Sequence, residues 1–194
     1  SDDQLTLASV PFPTGANACE IWALVDQAAL PADTSTRQIF AYGALTAATR
    51  QVGRGVVTGV NRAVVQAGDG VTNPQTYNTG VDFSGRHVVR GVFTGSAQRA
   101  QVDGSVSSDT SVTPATGTTR TRIGASSATS PGGFFNGVVS AILVTSILTG
   151  DQAAAVLNWL RTRGAVAAVT LLMFSGGWND AAVWNDQAAW SDGA

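Results

Sequence analysis

The sequence predicts an all-β sandwich or barrel with one short α-helix towards its C-terminal side. Short apolar runs recur at spacings near ten residues, and Gly, Asn, Asp or Pro separates them. This spacing is typical of sandwiches and barrels. One segment, LTGDQAAAVLNWLRTRG (148–164), instead carries apolar residues at helical spacing. A length of 194 residues fits one main domain followed by a tail.

Nine runs are predicted to form the strands. In chain order they are QLTLASV (4–10), EIWALV (20–25), RQIFAYGAL (37–45), RGVVTGV (54–60), RAVVQA (62–67), HVVRGVFT (87–94), RAQVDGSVSS (99–108), RIGAS (122–126) and GVVSAILVTSIL (137–148). Within the seventh run, Asp103 and Gly104 can supply the positive φ angles of a two-residue turn. This run is therefore predicted to be a β-hairpin.

The helical segment has recognisable ends. Thr149 is the predicted N-cap, Gln152 completes a capping box three residues later, and Gly164 ends the helix. Three apolar residues share one of its faces: Val156, Leu157 and Leu160. These signals predict a helix of about three turns.

The composition excludes several function classes. Charged residues are only 12% of the chain, the net charge is -2, and no lysine occurs, so the sequence offers no basic surface for nucleic acid. The longest apolar runs, VVSAILVTSIL (138–148) and AVAAVTLLMF (165–174), are about half the roughly 20 residues that cross a bilayer. We therefore expect neither nucleic-acid binding nor membrane insertion.

Motifs in five places carry a family resemblance. They are SDDQLTL (1–7), QVDGSV (101–106), RIGAS (122–126), FFNGVVSAILVTSILTGDQ (134–152) and VLNWL (156–160). Their order resembles the laminin-G-like, concanavalin A-like jelly roll of bacterial and phage proteins. The resemblance implies a jelly-roll sandwich over residues 1–164. The remaining residues, 165–194, are predicted to form an additional strand, within AVAAVTLLMF, and an extended C-terminal tail. It implies no functional residue, because the family's binding loops vary.

Catalytic chemistry finds little support in the sequence. A retaining glycosidase on this fold would resemble families that carry two or three acidic residues on one strand. This sequence has a single glutamate, Glu20, and lacks that pattern. His87 is the single histidine and no nucleophile motif surrounds any serine, so it is expected to make local hydrogen bonds. Cys19, the single cysteine, is expected to be a small buried side chain. The chain is predicted not to be an enzyme.

A long polar segment, GDGVTNPQTYNTGVDFSG (68–85), is the predicted binding loop, because loops of this length are often functional. Tyr77 could offer an aromatic plane to a sugar, with Asn73, Asn78 and Asp82 binding its hydroxyls. Calcium is the expected ion if a metal binds, with Asp69, Asn73 and Asp82 as its oxygen ligands. The alternatives are a polar surface loop whose Tyr77 packs on the sandwich, and turn-forming Asp and Asn side chains in water. A second candidate for calcium is the Asp2–Asp3 pair.

The last seventeen residues, WNDAAVWNDQAAWSDGA, repeat a tryptophan every six residues. An even spacing puts Trp178, Trp184 and Trp190 on one face of an extended strand. Asp180, Asp186 and Asp192 follow them at a fixed offset of two. Three exposed indoles would favour aggregation, so the repeat predicts a docking segment that binds its own domain, another copy or another protein.

Tails with Trp and Asp at short regular spacing resemble the ends of fibre or spike proteins from phages and phage-like particles. With the jelly-roll resemblance, this implies a non-enzymatic, lectin-like domain of a phage or phage-like virion. Its partners would be surface polysaccharide and, through the tail, other virion proteins or copies of itself, at the virion surface. One alternative is a purely structural capsid decoration or fibre assembly module. A further alternative is a secreted or cell-surface bacterial adhesin, or the accessory carbohydrate-binding domain of an enzyme.

Overall fold

A computed structural model describes residues 5–7, 12–27, 35–43, 48–117, 120–126, 133–163 and 170–173. Thirteen strands and one helix lie in these ranges. The strands are β1 (Leu5–Leu7), β2 (Cys19–Gln27), β3 (Arg37–Gly43), β4 (Thr49–Val57), β5 (Val60–Ala67), β6 (Gln75–Tyr77), β7 (Gly85–Phe93), β8 (Ala97–Val102), β9 (Ser105–Val106), β10 (Thr110–Ser111), β11 (Thr121–Ile123), β12 (Val138–Thr145) and β13 (Thr170–Met173). The helix is α1 (Gly150–Thr162).

Two sheets form a sandwich, which confirms the predicted jelly-roll class. The first has the order β1-β11-β3-β4-β5-β6, and the second has the order β10-β8-β7-β2-β12-β13, with β9 paired to β8. Their facing sides hold the main apolar core. The sheets approach closely at Gly91, where an added Cβ would lie 2.9 Å from Val52 Cγ2 and 3.0 Å from Val65 Cγ1.

The core between the sheets also contains a polar cluster. Arg50 is fully buried, and its Nη1 donates to Cys19 Sγ at 2.9 Å while its Nη2 donates to the Gly15 carbonyl at 2.9 Å. Burial raises the pKa of the Tyr42 phenol, whose hydroxyl lies 3.4 Å from the same sulfur. The expected burial of Cys19 is thus correct, but its surroundings are polar as well as apolar.

Both predicted turn and cap signals are confirmed. Asp103 and Gly104 have φ angles of +50° and +91° and join β8 to β9. The Thr149 side chain accepts from the Gln152 amide while the Gln152 side chain accepts from the Thr149 amide, as a capping box requires. Helix α1 begins just after this cap and packs on the outer face of the second sheet.

One strand boundary differs from the prediction. The run 54–60 is not one strand, because Thr58 and Gly59 form a tight turn with φ angles of +50° and +79° between β4 and β5. A β-branched residue rarely adopts such a φ angle, so Thr58 gave no turn signal. Strand β13 pairs in parallel with β12 and is the outermost strand on that side of the second sheet.

Several predicted residues lie outside the described ranges. They are Asp2, Asp3, Gly164, Trp178, Asp180, Trp184, Asp186, Trp190 and Asp192. The docking role of the tryptophan repeat therefore stays a prediction.

Candidate functional site

The predicted binding loop is divided by a short strand. Strand β6 pairs antiparallel with β5, with Gln75 opposite Gln66 and Tyr77 opposite Val64. It forms one edge of the first sheet. The polar residues of the segment are therefore distributed along a sheet edge, rather than gathered in one loop.

Asp69 uses its carboxylate to close a local turn. It accepts from the amides of Val71 at 2.8 Å and Thr72 at 2.6 Å, and from the Thr72 hydroxyl at 2.8 Å. These bonds, with the Thr72 amide first, lower the pKa of Asp69. This is the turn-forming role that the sequence left open as the alternative to calcium binding.

The expected calcium ligands do not come together. Asp69 lies near the end of β5, because the neighbouring Gly68 amide donates to the Thr49 carbonyl there. Asp82 lies near the start of β5, because the neighbouring Phe83 amide donates to the Asn61 carbonyl. Six residues of strand separate these points by about 20 Å. Asp69 and Asp82 therefore cannot hold one ion, and the predicted set with Asn73 is wrong. Within the described ranges, no three His, Cys, Asp or Glu side chains form a possible metal-binding group.

The prediction for Asn78 is also wrong, because its side chain joins the two sheets. It is fully buried, and its Nδ2 donates to the Ser105 carbonyl at 2.7 Å while its Oδ1 accepts from the Gly80 amide at 3.1 Å. A buried amide with these partners is committed to the fold. It cannot also bind a sugar hydroxyl.

Tyr77 remains available, and it is the centre of the candidate site. Its side chain is half-buried, with the ring lying across Gly55 on the outer face of the first sheet: a Cβ at Gly55 would come within 2.6 Å of Tyr77 Cε1. Its hydroxyl donates to Gln75 Oε1, and Gln75 Nε2 donates to Thr36 Oγ1 at 3.4 Å. Partial burial raises the pKa of the Tyr77 phenol. The result is an oriented aromatic ring beside an exposed amide and a half-buried hydroxyl.

Behind this edge, a row of amides crosses the sheet. The register aligns Gln51 with Gln66 and Gln66 with Gln75, on neighbouring strands β4, β5 and β6. Gln51 Nε2 donates to Gln66 Oε1, and Gln66 Nε2 donates to the Asn73 carbonyl at 3.5 Å. Gln51 and Gln66 are buried, and Gln75 is exposed at the edge. We call Thr36, Gln75 and Tyr77 the edge site.

The outer face of the second sheet is built differently, around a buried ion pair. Glu20 is fully buried, and its carboxylate accepts from Arg90 Nε at 3.1 Å, from Arg90 Nη2, from Trp22 Nε1 at 3.0 Å and from the Leu148 amide at 3.1 Å. The Arg90 guanidinium lies 4.7 Å from the centre of the Trp22 ring. This cluster could not be predicted from the sequence, because its members lie on three separated segments.

His87 and Asp103 form a second charged pair, at the start of β7 and the turn that follows β8. His87 Nδ1 lies 2.7 Å from Asp103 Oδ2, and its Nε2 lies 2.8 Å from the Ser84 carbonyl oxygen. Because both partners are acceptors, the geometry favours the doubly protonated ring. The bond to Asp103 raises the pKa of His87 above its usual value, against the opposing effect of burial. The expected local bonding of His87 is confirmed.

A groove lies between α1 and the β8–β9 hairpin, with a volume of about 240 Å³. Its floor is formed by Trp22, Val88 and Arg90, and its walls by Gln101, Asp103, Gly104 and Val106 on one side and by Gly150, Ala153, Ala154 and Leu157 on the other. We call it the helix groove. Sequence analysis missed it, although the helix and the hairpin that form its walls were both predicted.

Comparison with solved structures identifies the fold. Domains LG4-5 of the mouse laminin alpha1 chain match 73% of this chain with a TM-score of 0.54 and 12% identity. The enzymatically active domain of tailspike protein 2 from bacteriophage CBA120 matches 87% with a TM-score of 0.53 and 11% identity. A homodimeric agglutinin from chicken liver, CG-16, matches 74% with a TM-score of 0.40 and 10% identity, and covers the whole of that chain.

The chain spans only 38% of the laminin chain and 26% of the tailspike chain. No protein-family model matches the sequence, and no curated protein matches it. At these identities the likeness concerns the fold and not the activity. The α1 helix is too short and too polar to cross a membrane, and no other helix lies in the described ranges. From the likeness to the laminin domains, the chain has the laminin G-like jelly-roll fold.

Proposed function

We propose that this chain is a non-enzymatic, lectin-like domain that binds surface polysaccharide at the edge site. The observation that carries the proposal is the placement of Tyr77. Its half-buried ring lies across Gly55 at the sheet edge, with the exposed amide of Gln75 and the hydroxyl of Thr36 beside it. Sugar recognition needs an aromatic plane for the C–H face and neutral donors and acceptors for the hydroxyls.

The hydrogen bonds of Glu20 and His87 support a function without catalysis. Glu20 is fully buried and already accepts from Arg90, Trp22 and Leu148. His87 engages both ring nitrogens with Asp103 and Ser84. A general acid or base must be able to reach the proton it transfers, and neither group can do so here. Binding without chemistry is the function that fits the edge site.

For the biological setting, we propose a phage or phage-like virion. The support is the tryptophan repeat, read as an anchor to other virion proteins or to copies of this chain, together with the motif resemblance of the jelly roll. The edge site would then face the host at the virion surface. A secreted or cell-surface bacterial adhesin would use the same edge site in another setting.

The proposal is tested by measuring binding to a glycan array and to host polysaccharide. Tyr77→Ala is expected to weaken the binding about tenfold, a loss of about 1.4 kcal/mol. Gly55→Ala should also weaken it, because the new methyl group displaces the Tyr77 ring without removing it. Tyr77→Phe keeps the ring and should have the smallest effect of the three.

The matched control is Val71→Ala, since Val71 is 85% exposed on the segment that precedes β6. It should bind like the unchanged protein. If the unchanged protein binds no glycan at millimolar concentration, the lectin function is wrong, and the capsid decoration or assembly module becomes the better explanation. Equal binding by the Tyr77→Ala variant would place the glycan elsewhere on the chain.

A further inference from the structure

The helix groove is largely apolar and open to solvent. Val106 is 53% exposed on its hairpin wall, and Leu157 is half-buried on its helix wall opposite. Ala154 adds an exposed methyl group to the same helix wall. Exposed apolar walls that face each other favour an apolar occupant.

The volume of the groove indicates how large that occupant is. An engineered cavity of about 150 Å³ accommodates benzene, a single six-membered ring. At about 240 Å³, the helix groove has room for a two-ring side chain. Indole is the two-ring side chain among the amino acids, so a tryptophan fits the space.

Charges around the groove add a second requirement. Arg161, in the last turn of α1, is 45% exposed and reaches the hairpin turn, where its Nη2 donates to the Asp103 carbonyl. Asp103 itself keeps a 30% exposed carboxylate. A partner with an indole N–H for Asp103 and a carboxylate for Arg161 would satisfy both groups.

The C-terminal repeat of this chain carries that combination three times, as Trp178 with Asp180, Trp184 with Asp186, and Trp190 with Asp192. Residues two apart in an extended strand share a face and lie about 7 Å apart. Each unit can therefore present its indole and its carboxylate to the same surface.

The length of chain after β13 selects among the three units. Strand β13 ends at Met173, which pairs with Val144 near the end of β12. In the same sheet, β8 lies four strands away from β13. Four strand spacings are about 19 Å in a straight line, and α1 covers the strands in between. The five residues to Trp178 span at most about 17 Å, too little to pass around the helix. The eleven residues to Trp184 span about 36 Å, enough to pass around α1.

We propose that the helix groove binds the Trp184–Asp186 unit of the same chain, with the indole between Val106 and Leu157 and the carboxylate at Arg161. Docking this middle unit leaves Trp178 and Trp190 to the particle contact proposed above. The groove and the edge site lie on the outer faces of different sheets. The inference therefore does not depend on glycan binding.

Disulfide trapping in the full chain tests the proposal. Val106→Cys combined with Asn185→Cys should cross-link on mild oxidation, because a disulfide needs Cα atoms within about 7 Å. The matched control is Val106→Cys with Asn179→Cys, whose neighbour Trp178 is too close to β13 to reach. We expect the first pair to cross-link at least about tenfold faster than the second, through a higher effective concentration. Adding Trp184→Ala should remove the difference.

The product distinguishes the occupants on a non-reducing gel. A fast-migrating monomer whose yield does not change on dilution supports docking within one chain. A cross-linked dimer whose yield falls on dilution would overturn it in favour of a second copy. Equal rates for the two cysteine pairs would show that the groove does not select Trp184. Glycan affinity of the Trp184→Ala variant should stay unchanged, so this outcome is separable from that of the edge site.

Discussion

The two outer faces of this sandwich carry different polar chemistry. On the second sheet, opposite charges are buried together: Glu20 is fully buried and the side chain of Arg90 is 14% exposed. On the first sheet, neutral amides cross three strands and end in the exposed Gln75 beside Tyr77. A buried charge needs all of its partners within the protein, whereas a neutral amide at an edge can exchange partners with a ligand at little cost. The amide row of the first face is therefore suited to binding a polar ligand, and the charged cluster of the second face to holding the helix in place.

The largest expected effect is the loss of the buried carboxylate. Glu20→Gln leaves the Arg90 guanidinium buried without an anion. It also replaces the carboxylate that accepts hydrogen bonds from Trp22 Nε1 and the Leu148 amide with a weaker acceptor. We expect the free energy of unfolding to fall by about 3–5 kcal/mol. Urea denaturation measures it.

Two variants provide the scale for that loss. Gln51→Met, on the amide face, should cost about 1 kcal/mol, since it breaks a neutral hydrogen bond. Asp109→Asn, in a solvent-exposed pair with Arg99, should cost between about 0 and 1 kcal/mol. If Gln51→Met destabilises as much as Glu20→Gln, the distinction between the two faces fails.

An intermediate effect is expected from pH, through the His87–Asp103 pair at the end of the second sheet. The folded pKa of His87 is raised above 6.5, so its contribution to stability is complete below that value and is lost as the pH rises through the folded pKa. Burial raises the pKa of Asp103, but the bonds from His87 and the Val88 amide outweigh it and leave the pKa below 3.8. The contribution of Asp103 is therefore complete above 3.8 and is lost as the pH falls through its folded pKa.

Both contributions are complete between about pH 3.8 and 6.5, and stability should decline above that window as His87 loses its proton. Denaturation midpoints from pH 5.5 to 9 measure the decline. His87→Gln should flatten it, because glutamine does not titrate. A decline that persists in the His87→Gln protein would assign the pH dependence to another group.

A small effect, similar to that of Gln51→Met, is expected at the helix cap. Thr149→Ala removes the side-chain acceptor for the Gln152 amide, at a cost of about 1 kcal/mol. Thr162→Ala, whose hydroxyl donates to the Trp159 carbonyl in the last turn, is the control and should be nearly neutral. Thermal unfolding followed by circular dichroism compares them. A larger loss from Thr162→Ala would show that the end of α1, and not its cap, fixes the helix on the sheet.

Local features of this chain could be predicted because neighbouring residues determine them. The Asp103–Gly104 turn depends on two φ angles, and the α1 cap depends on Thr149 and Gln152, three residues apart. The alternation of apolar residues likewise places most strands. The turn at Thr58 was missed because a β-branched residue favours a strand, whereas Thr58 has a positive φ angle. The pairing of β4 with β5 imposes that angle.

The candidate sites could not be predicted in the same way. Tyr77 stays a predicted sugar contact, and the structure leaves its side chain half-buried. Asp69 and Asp82 were expected to lie together, but the pairing of β6 with β5 separates them. Asn78 was expected at the surface, and its bond to Ser105 buries it between the sheets. These outcomes depend on strand register, which composition does not reveal.

By itself, the sequence determined the strand alternation, the hairpin turn, the capped helix and the tryptophan repeat, because each follows from residues within a few positions of one another. Only the tertiary structure decided that Glu20 meets Arg90 and the Leu148 amide, which lie 70 and 128 residues away along the chain. It also decided that Tyr77 lies across Gly55, and that α1 and the β8–β9 hairpin enclose a groove. Contacts of this kind depend on how the two sheets pack, and packing selects among many partners of similar chemistry.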